Sequence, residues 1–178
     1  MNKTAIIIPS RLDALRLPNK PLKLINNKEM ILHVYEAAKK TNTGEVYVAT
    51  PDQKIIDIIT SNGGKAVLTS LNHQTGTDRI YEVFKTKLKS EPNVIVNLQG
   101  DMPNIDPQAI TDLVSYMHKD QCDIGTLASS FSSESELIDE NNVKVAVKDK
   151  LATNIFQKAT DFFRADEKNY KNFYHHVG

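Results

Sequence analysis

Three cations, Arg11, Arg16 and Lys20, follow the apolar run Ala5–Ile8 and Pro9, with Asp13 as the only acid between them. Cations held just beyond a buried segment are costly to fold around unless they meet an anion, and phosphate is the usual one. Arginine usage points the same way. The chain has four arginines (Arg11, Arg16, Arg79, Arg164) against eighteen lysines, and half of them stand in this one loop. A guanidinium grips phosphate with a rigid fork where lysine offers a point charge. The loop therefore reads as an anion site. The plain alternative is a solvated basic loop.

Three other stretches carry chemistry: Thr50-Pro51-Asp52, His73-Gln74-Thr75-Gly76-Thr77-Asp78-Arg79 and Gln99-Gly100-Asp101. Each follows a segment that reads as a strand. Ala5–Ile8, Val46–Thr50, Ala66–Thr69 and Asn93–Leu98 are short and apolar. Helical spacing recurs between and after them: Met30 to about residue 41, Ile55 to Ile59, Ile80 to Leu88, and Pro107 to His118. Four strand–helix units in a row predict an α/β fold, a mostly parallel sheet with helices on both faces. In such sheets ligands bind beyond the carboxyl ends of the strands, at the point where strand order reverses. With the common order third-second-first-fourth, the basic loop would face Asp101 across one crevice. Cations for phosphates and a carboxylate for a divalent ion suggest a nucleoside triphosphate. The alternative for Asp101 is a helix cap.

Length and charge narrow the field. The 178 residues hold 22 Lys+Arg and 22 Asp+Glu, so no global field draws the chain to nucleic acid or to a membrane surface. The single cysteine, Cys122, excludes an internal disulfide and a cysteine-cluster metal site. No stretch reaches the ~18 apolar residues of a membrane span, and Met-Asn-Lys is no signal peptide, so a cytoplasmic protein is expected. Beyond residue 122 the rhythm changes. Asp123–Phe131 reads as a strand, Ser132–Ser135 as a loop or helix start, and Val143–Val147 as a half-exposed, antiparallel strand. Lys158–Gly178 shows no clear period. Most remaining candidates have ordinary readings: His33 as a core or boundary residue, His118 as a helix-end cap, Cys122 as a small buried hydrophobe, and Ser129–Ser135 as a turn. His175 and His176, adjacent on a strand, would point to opposite faces rather than share a metal.

The blocks Ile7-Ile8-Pro9-Ser10-Arg11, Arg16-Leu17-Pro18, Lys20-Pro21-Leu22, His73 to Arg79 and Val96-Asn97-Leu98-Gln99-Gly100-Asp101, in this order and spacing, resemble the 3-deoxy-manno-octulosonate (Kdo) cytidylyltransferases, or CMP-Kdo synthetases. The HQ-T-G-T-x-R and N-x-QGD blocks favour this branch over the CMP-sialic acid synthetases. The resemblance implies a nucleotide-diphospho-sugar transferase fold (GT-A-like, Rossmann-like). It implies a dimeric enzyme that uses CTP and Mg2+ to make CMP-Kdo and pyrophosphate for lipopolysaccharide synthesis. It places Pro9, Ser10, Arg11, Arg16, Lys20, Gly76, Thr77 and Arg79 around the nucleotide. Arg11, Arg16, Lys20 and Asp101 would be the catalytic set, with Asp101 on the metal. Gln99, Lys158 and His176 would meet the sugar acid. It divides the chain into a nucleotide-binding domain, 1–131, and the start of a dimerisation and sugar-binding subdomain, 132–178.

The sequence departs from the family pattern at several points. Asn19 stands where glycine is usual, Ala14 where a small hydroxyl residue is common, Pro51 and Met102 where acids are usual. Phe156–Phe162 lacks the Ser-Arg pair whose arginine helps with the anionic sugar; Lys158 keeps the charge without the fork. The family also continues past Val177-Gly178 with a second metal-binding aspartate and more of the sugar pocket. Two alternatives follow: a truncated CTP-binding remnant without activity, and a cytidylyltransferase for another sugar acid.

Overall fold

The computed structural model describes residues 3–13, 17–119, 122–152, 156–164 and 170–177, and divides the chain into two compact units, Met1–Gln121 and Cys122–Gly178. The first is built around strand β1 (Thr4–Pro9), every residue of which is buried. Ile6 and Ile8 face one helical layer and Ile7 the other, because successive side chains on a strand alternate faces. Burying each isoleucine stabilises the fold by about 1.5–3 kcal/mol. A tight hairpin, β2 (Leu24–Ile25) and β3 (Lys28–Glu29), turns through Asn26 and Asn27, both at positive φ, as an Asn-Asn turn allows. Helix α1 (Met30–Lys40), β4 (Glu45–Thr50), α2 (Gln53–Ser61), β5 (Ala66–Leu68), α3 (Gly76–Thr86), β6 (Val94–Asn97) and α4 (Pro107–Lys119) follow.

The sheet order is β5-β4-β1-β6, with every pairing parallel. This is the order expected from the sequence, and it puts the switch point between β1 and β6. Helices α1, α2 and α4 pack with Ile6 and Ile8; α3 packs with Ile7 through Ile80 and Val83. His33 is half-buried and its Nε2 lies 2.9 Å from the Ile25 carbonyl. His118, in the last turn of α4, hydrogen-bonds the Thr4 hydroxyl at 2.8 Å, tying that helix to the start of β1.

The second unit is an antiparallel sheet, order β7-β10-β8-β9, from β7 (Leu127–Ser129), β8 (Lys144–Val147), β9 (Ala159–Phe163) and β10 (Phe173–Val177), with the short helix α5 (Glu134–Ile138) capped by the Ser133 hydroxyl. Three sequence expectations are corrected here. The strand expected over 123–131 shortens to β7 and pairs with β10. Cys122 is exposed rather than buried. Strand β8 is buried throughout instead of half-exposed. The alternation misled because Lys144, the polar position, is itself only 1% exposed. Its ammonium donates to the carbonyls of Asp139 (2.9 Å), Asn142 (3.4 Å) and Arg164 (2.7 Å). A buried cation surrounded by acceptors reads in sequence like a surface lysine. The aromatic, aperiodic tail is explained by ring packing: Phe173 lies 6.0 Å from Phe131 and 5.7 Å from Phe163.

Replacing Lys144 should therefore cost far more than a surface lysine does. Lys144→Met keeps the stem but takes the ammonium donor from three carbonyls, of which that of Asp139 keeps the Asn142 amide at 3.1 Å, and we expect a loss of about 2–3 kcal/mol in denaturant unfolding. Lys148→Met, on the exposed residue just beyond β8, should change stability by less than about 0.5 kcal/mol.

Candidate functional site

The basic loop begins where β1 ends. The Ser10 amide donates to the Ala49 carbonyl at 2.9 Å, carrying the pairing one residue beyond Pro9. The Ser10 hydroxyl, by contrast, is buried without a hydrogen-bond partner among the described residues. The Leu12 amide donates to Asp52 Oδ2 at 2.8 Å, fastening the loop to the end of β4, and Leu12 itself packs on the core. The Asn19 amide returns to the Leu12 carbonyl at 3.0 Å and closes the loop. Asn19 has φ 57 and ψ 25, the left-handed region. Glycine adopts that conformation most readily and asparagine tolerates it, which accounts for an asparagine at a position where glycine was expected. A short 3-10 helix, Lys20–Leu22, then aims Lys20 back at the strand ends. Arg16 lies outside the described residues.

The facing loop follows β6. Gly100 comes so close to β1 that a Cβ there would stand 3.0 Å from the Pro9 carbonyl oxygen. That contact brings Asp101 opposite the basic loop, and Lys20 Nζ meets Asp101 Oδ2 at 2.7 Å. The expected juxtaposition of these two loops is thus present. Asp101 caps no helix; Asp106 does, accepting the Gln108 amide at 2.9 Å at the start of α4. The Gln99 side chain donates from Nε2 to Asn97 Oδ1 at 2.7 Å.

The third wall is the loop into α3 and that helix's first turn. Thr75 and Asp78 form a reciprocal capping box, each side chain accepting the other's amide at 3.1 Å. The amides of Gly76 and Thr77 have no acceptor within the helix and carry its positive pole. Gly76 again presses on Pro9: a Cβ would lie 3.2 Å from Pro9 Cγ. Arg79 is 3% exposed, and its guanidinium donates to the Thr69 hydroxyl and to the Ser70 carbonyl, the latter at 3.0 Å. Burial, and then the charge of Arg11, pull its pKa below the ordinary arginine value. Asp52, missed from sequence as the anchor of the basic loop, is one of two acids that offset this; Glu82 is the other.

Together the three walls enclose a cleft of about 280 Å³. Of the residues expected at the site, it brings together Pro9, Ser10, Arg11, Lys20, Gly76, Arg79, Gln99 and Asp101; His73 joins them, while Thr77 stands exposed one residue beyond the lining. Three cations against one carboxylate, a helix N-terminus and an orphaned serine hydroxyl make a polyanion site with a polar contact to spare. Among the described residues Asp101 is the only carboxylate of the lining, and an ammonium already rests on it. Among the described residues no group of three or more His, Cys, Asp or Glu could hold a metal alone. The donor set suits a magnesium-like ion, which takes one or two carboxylates and shares the substrate's phosphates.

Lys158 and His176 belong to the second unit. Lys158 is exposed just before β9. His176, on β10, hydrogen-bonds Thr126 Oγ1 at 2.8 Å and meets Phe162 edge-on at 5.2 Å; burial pushes its pKa down. His175 points the other way, stacked on Phe131 at 5.8 Å with Nδ1 3.0 Å from Glu136, so the two histidines do not form a metal pair.

The family model described as Cytidylyltransferase matches residues 5–178. The 3-deoxy-manno-octulosonate cytidylyltransferase of Brucella anthropi is 39% identical over 99% of this chain and 71% of its own. The 8-amino-3,8-dideoxy-manno-octulosonate cytidylyltransferase of Shewanella pealeana is 40% identical over 100% of this chain and 73% of its own. Among solved structures, a CMP:2-keto-3-deoxy-manno-octonic acid synthetase complexed with CTP superposes with a TM-score of 0.85 and 37% identity, covering 99% of this chain and 72% of that one.

The left-handed turn at Asn19 is open to direct test. Asn19→Gly should keep stability within about 1 kcal/mol, whereas Asn19→Val, a β-branched residue forced to positive φ, should cost roughly 1–2 kcal/mol in thermal or urea unfolding.

Proposed function

We propose, from the premise that the chain belongs to the cytidylyltransferase family, that it transfers the cytidylyl group of CTP to 3-deoxy-manno-octulosonate. The observation that carries this reading is the cleft at the β1–β6 switch point, where Arg11, Lys20 and Arg79 surround the one carboxylate of Asp101. In the reaction the anomeric hydroxyl oxygen of the sugar acid bonds to the α-phosphorus of CTP. The bond from that phosphorus to the pyrophosphate oxygen breaks, and the hydroxyl gives up its proton. Such a transfer depends mostly on positioning and on stabilising charge.

Each residue of the cleft lining takes a role that its placement supports. Arg11 and Lys20 hold the triphosphate, a role that the family resemblance also gives to Arg16. Pro9, Ser10, Gly76 and Thr77 border the nucleotide, with Gly76 letting the backbone come close. Arg79 both faces the cleft and braces the loop after β5. Gln99, in the cleft lining, serves the sugar acid. Asp101 would hold Mg2+, which when bound neutralises phosphate charge and polarises the reacting phosphoryl group. Because Lys20 and Asp101 neutralise each other in the free protein, their pair must open before either can act. The reading extends to a homodimer acting in the cytoplasm and supplying lipopolysaccharide synthesis. No helix among the described residues is long and apolar enough to cross a membrane.

The 8-amino sugar acid is the second reading, favoured by the near-equal identity of the Shewanella pealeana relative. Competition between the two acids for CTP-dependent pyrophosphate release distinguishes them.

Calorimetric titration with CTP and Mg2+, against UTP, tests the nucleotide site, and pyrophosphate release that requires the sugar acid tests turnover. Selective CTP binding is expected; equal binding of UTP would sink the cytidylyl reading. Asp101→Asn should lower turnover by at least about a hundredfold while leaving the unfolding midpoint unchanged. Because it also frees Lys20, metal-free CTP should bind this variant no more weakly than the unsubstituted protein.

A further inference from the structure

The wall formed by the loop into α3 contains an imidazole to which nothing above gives a role. His73 lines the cleft, with 21% of its side chain exposed. Its Nε2 is hydrogen-bonded to Glu82 Oε2, and the same oxygen accepts the Ser70 amide at 3.0 Å. Glu82 is not part of the lining. It sits on α3 one turn beyond Arg79, which grips the same loop through Thr69 and Ser70. One helix face thus fixes the loop at both of its polar ends.

The hydrogen bonds from His73 and the Ser70 amide hold the Glu82 carboxyl below the usual glutamate range, so it is ionised at neutral pH. An ionised carboxylate only accepts hydrogen bonds, so Nε2 carries a hydrogen in either charge state of the ring. In the neutral ring Nδ1 is then a bare acceptor, and it has no hydrogen-bond partner among the described residues. Phosphate oxygens are acceptors too and give that nitrogen nothing to bind. A nucleoside offers donors: ribose hydroxyls and an exocyclic amino group. The cations of the cleft suit the triphosphate, and this nitrogen suits the other half of the ligand.

We propose that His73 is a nucleotide-binding residue and that Glu82 is its positioning residue, locking the Nε2–H tautomer so that Nδ1 accepts a hydrogen bond from an N–H or O–H of the bound nucleoside. The proposal rests on the reading of the cleft as a CTP site. It assigns Glu82 an effect on nucleotide affinity although Glu82 touches no ligand.

The first test needs no substitution: long-range 15N–1H NMR of the full chain, with and without CTP and Mg2+. His73 should show the Nε2–H tautomer in the free protein, and its Nδ1 resonance should move on CTP addition as the lone pair is engaged. Glu82→Ala should mix the tautomers. Both Glu82→Ala and His73→Ala should weaken CTP about tenfold, the worth of one hydrogen bond, with kcat within about twofold. His73→Asn, whose amide oxygen can take the place of Nδ1, should bind CTP within about threefold of the unsubstituted protein. An Nδ1–H tautomer in the free protein, or CTP affinity unchanged in both alanine variants, overturns the proposal and leaves the CTP site standing. If the folded, unsubstituted chain binds no CTP, the site reading falls and the proposal falls with it.

Discussion

The first unit's site depends on the crowding around Pro9. This residue ends β1, and two other segments press directly on it: Gly76 at the start of α3 and Gly100 after β6. At Gly100 a methyl group would sit 3.0 Å from a backbone oxygen, which cannot swing away as a side-chain tip can. Because the approach is that close, the loop after β6 and the α3 N-terminus converge on the end of the central strand. Phosphate-sized ligands need such convergence, since one helix pole and one loop alone give too few donors. The buried isoleucines of β1 serve the same end by fixing the strand from which the distances are set.

Charge is arranged around that convergence with few spare groups. Arg79 is buried and within the field of Arg11, and both effects work against its charge. The fold offsets this with Asp52 and Glu82, each of which also accepts a backbone amide: Leu12 for Asp52, Ser70 for Glu82. Both acids therefore shape loops while balancing an arginine. Lys20 and Asp101 balance each other across the cleft mouth, where both are partly exposed. Partial exposure leaves this pair weakly held, because water screens the attraction between its partners.

Much of this was legible in the sequence because the information was local. The four apolar strands, their helices and the residues after each strand follow from short-range pattern, and strand order follows from the doubly wound rule. What escaped was nonlocal or hidden by residue type. Asp52 acts on a loop forty positions away. Glu82 acts through its partners rather than on the cleft. Lys144 looks like surface because backbone carbonyls, two nearby in the chain and one from Arg164 twenty positions on, replace its water. The second unit was least legible, since its cohesion comes from rings such as Phe131, Phe163 and Phe173, which meet from three separate segments and leave no period.

Departures from a family pattern are informative once their backbone is known. Asn19 for glycine is a conservative change in conformation though not in side chain, because the position demands positive φ and asparagine accepts it. Pro51 for an acid removes a carboxylate at the end of β4, yet the next residue, Asp52, holds the basic loop by a single bond to Leu12. Proline suits that place: β4 has ended, α2 has not begun, and its fixed φ costs the sheet no ladder bond. At both positions the geometry of the loop is met by a different residue. A pattern match would score them as losses, whereas the structure supplies the conformation or the carboxylate that the loop requires.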